Sequence, residues 1–147
     1  MSDGDSTRIS AAEAHAKMTH DHFTYVDVRT EEEFAAGHPE GAVNVPFMLA
    51  VAGGLEANPD FVAVMERAFA KDAPIIVGCK MGGRSARAAS ALAQAGFTRV
   101  LDQRAGWDGA RGSFGELTEP GWSRSSLPTD SGTPADRSYE ALRSRTR

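Results

Sequence analysis

An α/β domain with a largely parallel sheet is the fold this chain calls for, on three observations. Short apolar, strand-like runs alternate with helix-forming segments. One run, "PIIVGC" at residues 74–79, is apolar almost without interruption, the pattern of a central parallel strand covered on both faces. Helix start and stop signals fall between the runs. With 147 residues the chain has the size of one domain, long enough to bury a core without disulfides or metal.

Taken in order, Ser10 followed by Glu13 has the form of a capping box and opens a short helix through "AAEAHAKM". "HFTYVDVR" then alternates, so that Phe23 and Tyr25, with Val26 and Val28, read as a strand buried on at least one face. Thr30 and Glu33 repeat the capping box, which predicts a brief helix over "EEEFAA" ended by Gly37. "GAVNVP" is a short strand stopping at Pro46. Asn58 before Pro59 signals a helix start twice over, since Asn caps free amides and proline has no N–H to lose at the first position. The helix "DFVAVMERAFA" then puts Phe61, Val64, Met65 and Ala68 on one face. After "PIIVGC" comes the helix "SARAASALAQAGF", closed by Gly96, and then the strand "TRVLD". No internal repeat is present.

Past Trp122 the composition turns to Ser, Thr, Pro and Arg with few large apolar residues, so residues 123–147 read as an extended or mobile, locally basic tail. Within it, "SYEALRSR" has the makings of one or two helical turns. The net charge of −4, from 16 basic and 20 acidic residues, offers no global field for nucleic acid or an anionic membrane, and neither is expected as a partner. The apolar runs are far shorter than the roughly 20 residues that span a bilayer. A single cysteine cannot close an internal disulfide, and the polar, acidic "MSDGDSTRIS" lacks the pattern of a signal peptide. Together these predict a soluble, cytoplasmic protein.

Cys79 sits at the carboxyl end of the central strand, the edge at which parallel sheets collect ligands. The strand turns through "CKMGGR" into a helix and presents successive amides to whatever lies at the centre of the turn. Gly82 and Gly83 allow positive φ and close approach, which predicts an anion-binding nest at a helix N-terminus. A free cysteine is only about 3% thiolate at neutral pH, and such a nest favours the anion. Lys80 and Arg84 add positive charge that suits a small anionic substrate. No histidine lies within the loop, so a local Cys/His pair is not supported. Without that context, the ordinary reading of a lone cysteine is a small buried hydrophobe.

At this point the chain resembles the single-domain rhodanese-like sulfurtransferases. Three stretches carry the likeness in the family's order: "YVDVRTEEEFAAGHPEGAVNVP", "IIVGCKMGGRSARAASALAQAGF" and "VLDQRAGW". The resemblance spans residues 8–122 and implies a five-stranded, largely parallel sheet with helices on both faces. It further implies that Cys79 is the nucleophile, taking a sulfane sulfur from a donor such as thiosulfate and carrying it as a persulfide to a thiol or cyanide acceptor. The amides of Lys80, Met81, Gly82, Gly83, Arg84 and Ser85 would hold the extra sulfur, and Lys80 and Arg84 the donor's sulfonate. No cofactor and no metal are implied.

Asp27 and Arg29, in the family's "DVR" motif, read as a structural ion pair or loop support, and Glu33 as a cap. His38 reads as fixing a turn, His20 and His22 as solvated, and Trp107 and Trp122 as packing residues, with Trp107 the one that lines the site if either does. Two departures stand at the rim: "HPEGA" where the family often has "HIPGA", and Ala105-Gly106 where a Gly-Gly pair is usual. "QRAGWDGARGSFGE" is a candidate pocket wall. Two alternatives remain. One is a sulfur carrier or regulatory binding module with a protein donor or acceptor, which the basic tail and unusual rim motivate. The other is a related phosphatase or arsenate reductase, disfavoured because those phosphatases use Cys-x5-Arg and this loop is Cys-x4-Arg.

Overall fold

The computed structural model describes residues 7–145. The chain enters on β1 (Arg8–Ile9) and α1 (Ala11–His20), then runs through β2 (Thr24–Asp27), α2 (Glu31–Ala36), β3 (His38–Pro39) and β4 (Val43–Asn44). A hairpin of β5 (Met48–Val51) and β6 (Gly54–Ala57) precedes α3 (Phe61–Ala68), β7 (Ile75–Gly78), α4 (Gly83–Gln94) and β8 (Val100–Gln103). A second hairpin, β9 (Gly109–Arg111) and β10 (Leu117–Pro120), leads to a 3₁₀ turn at Trp122–Arg124, then β11 (Thr129–Asp130) and α5 (Tyr139–Arg143).

Five strands form one sheet in the order β1-β8-β7-β2-β4, every neighbouring pair parallel. β7 is therefore central, as its uninterrupted apolar run demands, and all four of its residues are buried. Alternation along the strands feeds two apolar layers. Val26, Ile75 and Val77 pack with Val64, Met65, Ala88 and Leu92 on one face, while Tyr25 and Ile76 pack with Ala14, Phe34 and Trp122 on the other. Among the described residues no helix is long and apolar enough to cross a membrane.

Both capping boxes form: Ser10 Oγ accepts the Glu13 amide at 3.1 Å, and Thr30 Oγ1 accepts the Glu33 amide at 3.2 Å. The expected cap at Asn58 does not. Asn58 Oδ1 instead accepts the Asp60 amide at 3.0 Å in a turn, and α3 starts at Phe61. Its Nδ2 is occupied elsewhere, donating to the Pro46 carbonyl at 2.9 Å and to Tyr139 Oη at 3.0 Å. Local propensity marked the right place, but a distant partner took the side chain.

The segment after Trp122, expected to be extended or mobile, packs on the domain. Ser138 caps α5, and Tyr139 and Leu142, one helical turn apart, enter the apolar cluster beside Val43, Val64 and Met65. β11 pairs antiparallel with β3, and the Asn44 amide donates to the Arg137 carbonyl at 2.9 Å. Four of the segment's arginines are engaged. Arg124 bonds Asp108, Arg137 lies 3.6 Å from Asp136, Arg143 covers the Tyr139 ring at 5.2 Å, and Arg145 donates to the Asp136 carbonyl. Composition pointed the other way because two apolar side chains suffice to seat a short helix, and they barely change an average.

Replacing Leu142 by Ala is expected to lower the unfolding free energy by about 3 kcal/mol, since the side chain is wholly buried. Urea melts measure this; an unchanged midpoint would mean that α5 does not hold its place.

Candidate active site

β7 delivers the chain to Cys79, which is 2% exposed, and α4 begins four residues later. In between, the backbone folds around the sulfur. Sγ accepts the Gly82 amide at 3.1 Å and the Ser85 amide at 3.3 Å. Gly82 makes this turn with φ +101°, a left-handed conformation, and a Cβ there would run into the Arg104 carbonyl oxygen. Gly83, expected to share that freedom, is instead the first residue of α4. The amides of Gly83 and Arg84 lie in the first turn of α4, where no intrahelical carbonyl can reach them.

From behind, the turn after β8 clamps the loop. The Trp107 amide donates to the Cys79 carbonyl at 2.7 Å and the Asp108 amide to the Lys80 carbonyl at 2.9 Å. Gly106, at φ +66°, comes so near that a Cβ would lie 2.6 Å from the carbonyl oxygens of both Cys79 and Lys80. Of the unusual Ala105-Gly106 pair, only the second position has positive φ, and glycine is kept there. Gln103 latches this turn: its Oε1 accepts the amides of Ala105 and Gly106, and its Nε2 donates to the Gly106 carbonyl and to Tyr25 Oη. Gln103 had figured only as the first residue of the candidate pocket wall, with no role of its own.

The cations do not all face the cysteine. Arg29 is buried in a bidentate pair with Asp27, the shortest contact being 2.7 Å, and Asn44 ties both backbones by donating to their carbonyls. The Arg29 guanidinium also covers the Trp107 ring at 5.1 Å. Arg84 is bound by both carboxylate oxygens of Glu33, at 2.8 and 3.1 Å. Glu33 is therefore more than a cap; it neutralises the loop's arginine. Burial alone would push its carboxyl up, but the Arg84 guanidinium and the Thr30 amide outweigh that and hold it at about 2. The Lys80 ammonium has no ion-pair partner among the described residues, and Lys80 and Met81 are exposed.

Ser85 is buried within α4, its Oγ 3.5 Å from Sγ of Cys79 and 2.6 Å from Oδ1 of Asp102 on β8. Asp102 had read only as the end of a strand. His38 is buried, stacked on Phe34 and bonded through Nδ1 to the Phe34 carbonyl, while His20 and His22 are exposed. Trp122 packs in the core, as a packing residue should. "QRAGWDGARGSFGE" supplies the rear clamp through Gly106 and Trp107, and its later part forms β9 and the turn beyond it.

A family model described as a rhodanese-like domain matches residues 10–112. The chain belongs to the rhodanese-like domain family. Over 121 residues it is 40% identical to thiosulfate sulfurtransferase 16, chloroplastic, of Arabidopsis thaliana, a match covering 82% of this chain and 90% of that one. It is 42% identical over 85 residues to rhodanese-like domain-containing protein 15, chloroplastic, also of Arabidopsis thaliana, covering 58% of this chain and 47% of the relative. Among solved structures, Rv0390 from M. tuberculosis superposes with a TM-score of 0.67 at 27% identity, over 85% of this rhodanese-like chain and 97% of that one. The five-stranded α/β architecture implied by the resemblance is thus the fold found. The cytoplasmic location is not upheld, because these relatives are named chloroplastic. A lone free thiol reports reducing surroundings and does not distinguish one reducing compartment from another.

Because the folded Glu33 carboxyl stands at about 2 against an ordinary 4.5, the stability it contributes is complete above about pH 5 and is lost as pH falls toward 2. Glu33→Gln keeps a capping side chain but not the charge, and is expected to cost about 1 kcal/mol at neutral pH, since the pair is partly screened. Urea melts should show the gap from wild type closing on acidification; a gap constant down to pH 2 would exclude the ion pair as its source.

Proposed function

We propose that this chain is a thiosulfate-type sulfurtransferase that works through a persulfide on Cys79. The observation carrying this reading is the Cys79 sulfur held by the Gly82 and Ser85 amides at the mouth of α4. Such donors stabilise a sulfur anion without needing to reorganise. The relative at 40% identity, named a thiosulfate sulfurtransferase, supports the same substrate class.

In the first half-reaction the Cys79 thiolate attacks the outer sulfur of the donor. A sulfur–sulfur bond forms to Cys79, the donor's own sulfur–sulfur bond breaks, and sulfite leaves with the electron pair. The persulfide's terminal sulfur then lies toward the amides of Gly83 and Arg84. In the second half-reaction a thiolate or cyanide attacks that terminal sulfur and frees the Cys79 thiolate. No net oxidation or reduction is needed beyond the transfer of the sulfur atom itself.

The donor's sulfonate meets Lys80 first. Arg84 serves it only in competition with Glu33, a constraint that the sequence reading, which gave Arg84 to the donor outright, did not contain. The same pairing counts against phosphate chemistry, which requires the loop arginine for the phosphoryl oxygens. The basic tail that motivated a carrier or regulatory module offers less than its composition suggested, because Arg124, Arg137, Arg143 and Arg145 are engaged within the molecule.

Brief incubation with thiosulfate is expected to add one sulfur atom to the intact protein, removable by cyanide and absent in Cys79→Ser; equal sulfur gain by the variant would end the persulfide mechanism. Glu33→Gln, by freeing Arg84, is expected to lower KM for thiosulfate roughly threefold or more with little change in kcat. An unchanged KM would remove Arg84 from the donor site.

A further inference from the structure

The loop holds no histidine, and none of the four histidines in the chain bonds Cys79 or Ser85: His38 is turned to the Phe34 carbonyl, His15 lies against Trp122, and His20 and His22 are exposed. No imidazole is therefore placed to take the thiol proton. Ser85 Oγ has one proton and three acceptors within reach: Asp102 Oδ1 at 2.6 Å, the Gly82 carbonyl at 3.3 Å and Cys79 Sγ at 3.5 Å. The first distance is that of a charge-assisted bond to a carboxylate, so the hydroxyl proton points to Asp102. The oxygen lone pairs are then left facing the Cys79 S–H, which donates to Ser85.

We propose that Asp102 takes up the thiol proton of Cys79 through Ser85, so that the thiolate and a neutral Asp102 carboxyl form together. The proton on sulfur moves to Ser85 Oγ as the original hydroxyl proton moves to Asp102 Oδ1. Charge is conserved within the unit, and no solvent or second reactant is needed. Ser85 then donates to the thiolate as a third hydrogen bond beside the amides of Gly82 and Ser85. Asp102 is a positioning residue in this arrangement, since it acts on the sulfur through Ser85. The proposal rests on the reading of Cys79 as the nucleophile.

The surroundings set the balance. Asp102 is 2% exposed, and burial raises its carboxyl above the ordinary range while Ser85 and Arg8 oppose that. From β1, Arg8 Nε bonds Oδ2 at 3.0 Å; beyond the end of β8, Arg104 adds positive charge that Glu119 largely neutralises. Around Cys79 stand the Tyr25 phenol, Arg84 with its Glu33 partner, Asp27 with Arg29, and the adjoining Lys80. Of these groups Arg8 is the one whose removal separates the two ways charge can act. Acting through space, losing a cation disfavours the thiolate. Acting through the relay, losing it raises the proton affinity of Asp102 and favours the thiolate.

The test is the rate of alkylation by iodoacetamide at pH 7, in which the chain's one cysteine supplies the whole signal. Arg8→Met keeps the aliphatic stem of a side chain that is 40% exposed, so the fold should survive, and a thermal melt checks it. The expected result is alkylation faster than wild type by roughly threefold or more, and loss of that acceleration when Ser85→Ala is added. Slower or unchanged alkylation in Arg8→Met would overturn the proposal, as would an acceleration that persists without the Ser85 hydroxyl. The readout uses no sulfur donor, so a protein that failed to transfer sulfur would still give a clear answer about the relay.

Discussion

Everything at this site depends on one sulfur atom taking the place of the carbonyl oxygens that the start of α4 lacks. A helix leaves its first amides without partners, and here two donors in the turn into α4, from Gly82 and Ser85, converge on Cys79 Sγ. That convergence requires the strand, the left-handed Gly82 and the helix to meet within four residues. It also requires the loop to be held from outside, which the Gly106–Trp107 turn does by binding the Cys79 carbonyl. A central parallel strand supplies the rigidity, because β7 is flanked by β2 and β8 and buried on both faces.

Around that anion-favouring centre, positive charge is rationed by carboxylates. Asp27 holds Arg29 in the interior and Glu33 holds Arg84 at the margin, while Lys80 remains exposed. The buried pair ties β2 to the chain entering α2 and, through Arg29, orders Trp107 and the rear clamp. The marginal pair offsets the Arg84 charge at the start of α4. Two ion pairs alike in composition thus do different jobs, one fixing geometry and one tuning the field, according to their burial.

The same logic explains where expectation and structure part. Asn58 is an ordinary cap signal, yet Tyr139, eighty-one residues later, shares in its amide, and the helix starts further on. The terminal segment is polar on average, but averages do not register that Tyr139 and Leu142 share one helical face against α3 and β4. Gly83 and Gly82 look equivalent in sequence, and only the second of these carries the left-handed turn.

By itself the sequence determined the α/β class, the central strand, both Ser/Thr capping boxes and the place of Cys79 at a strand-to-helix turn. Each of these is settled by residues within a few positions of one another, through hydrogen-bonding capacity and the periodicity of apolar side chains. Tertiary structure alone decided what surrounds the cysteine: Glu33 on Arg84 and Asp102 on Ser85. These two contacts join residues 51 and 17 positions apart, and parallel pairing brings them together. No local spacing rule encodes them, because a charge or amide at a strand end takes its partner from whichever element the sheet order places beside it.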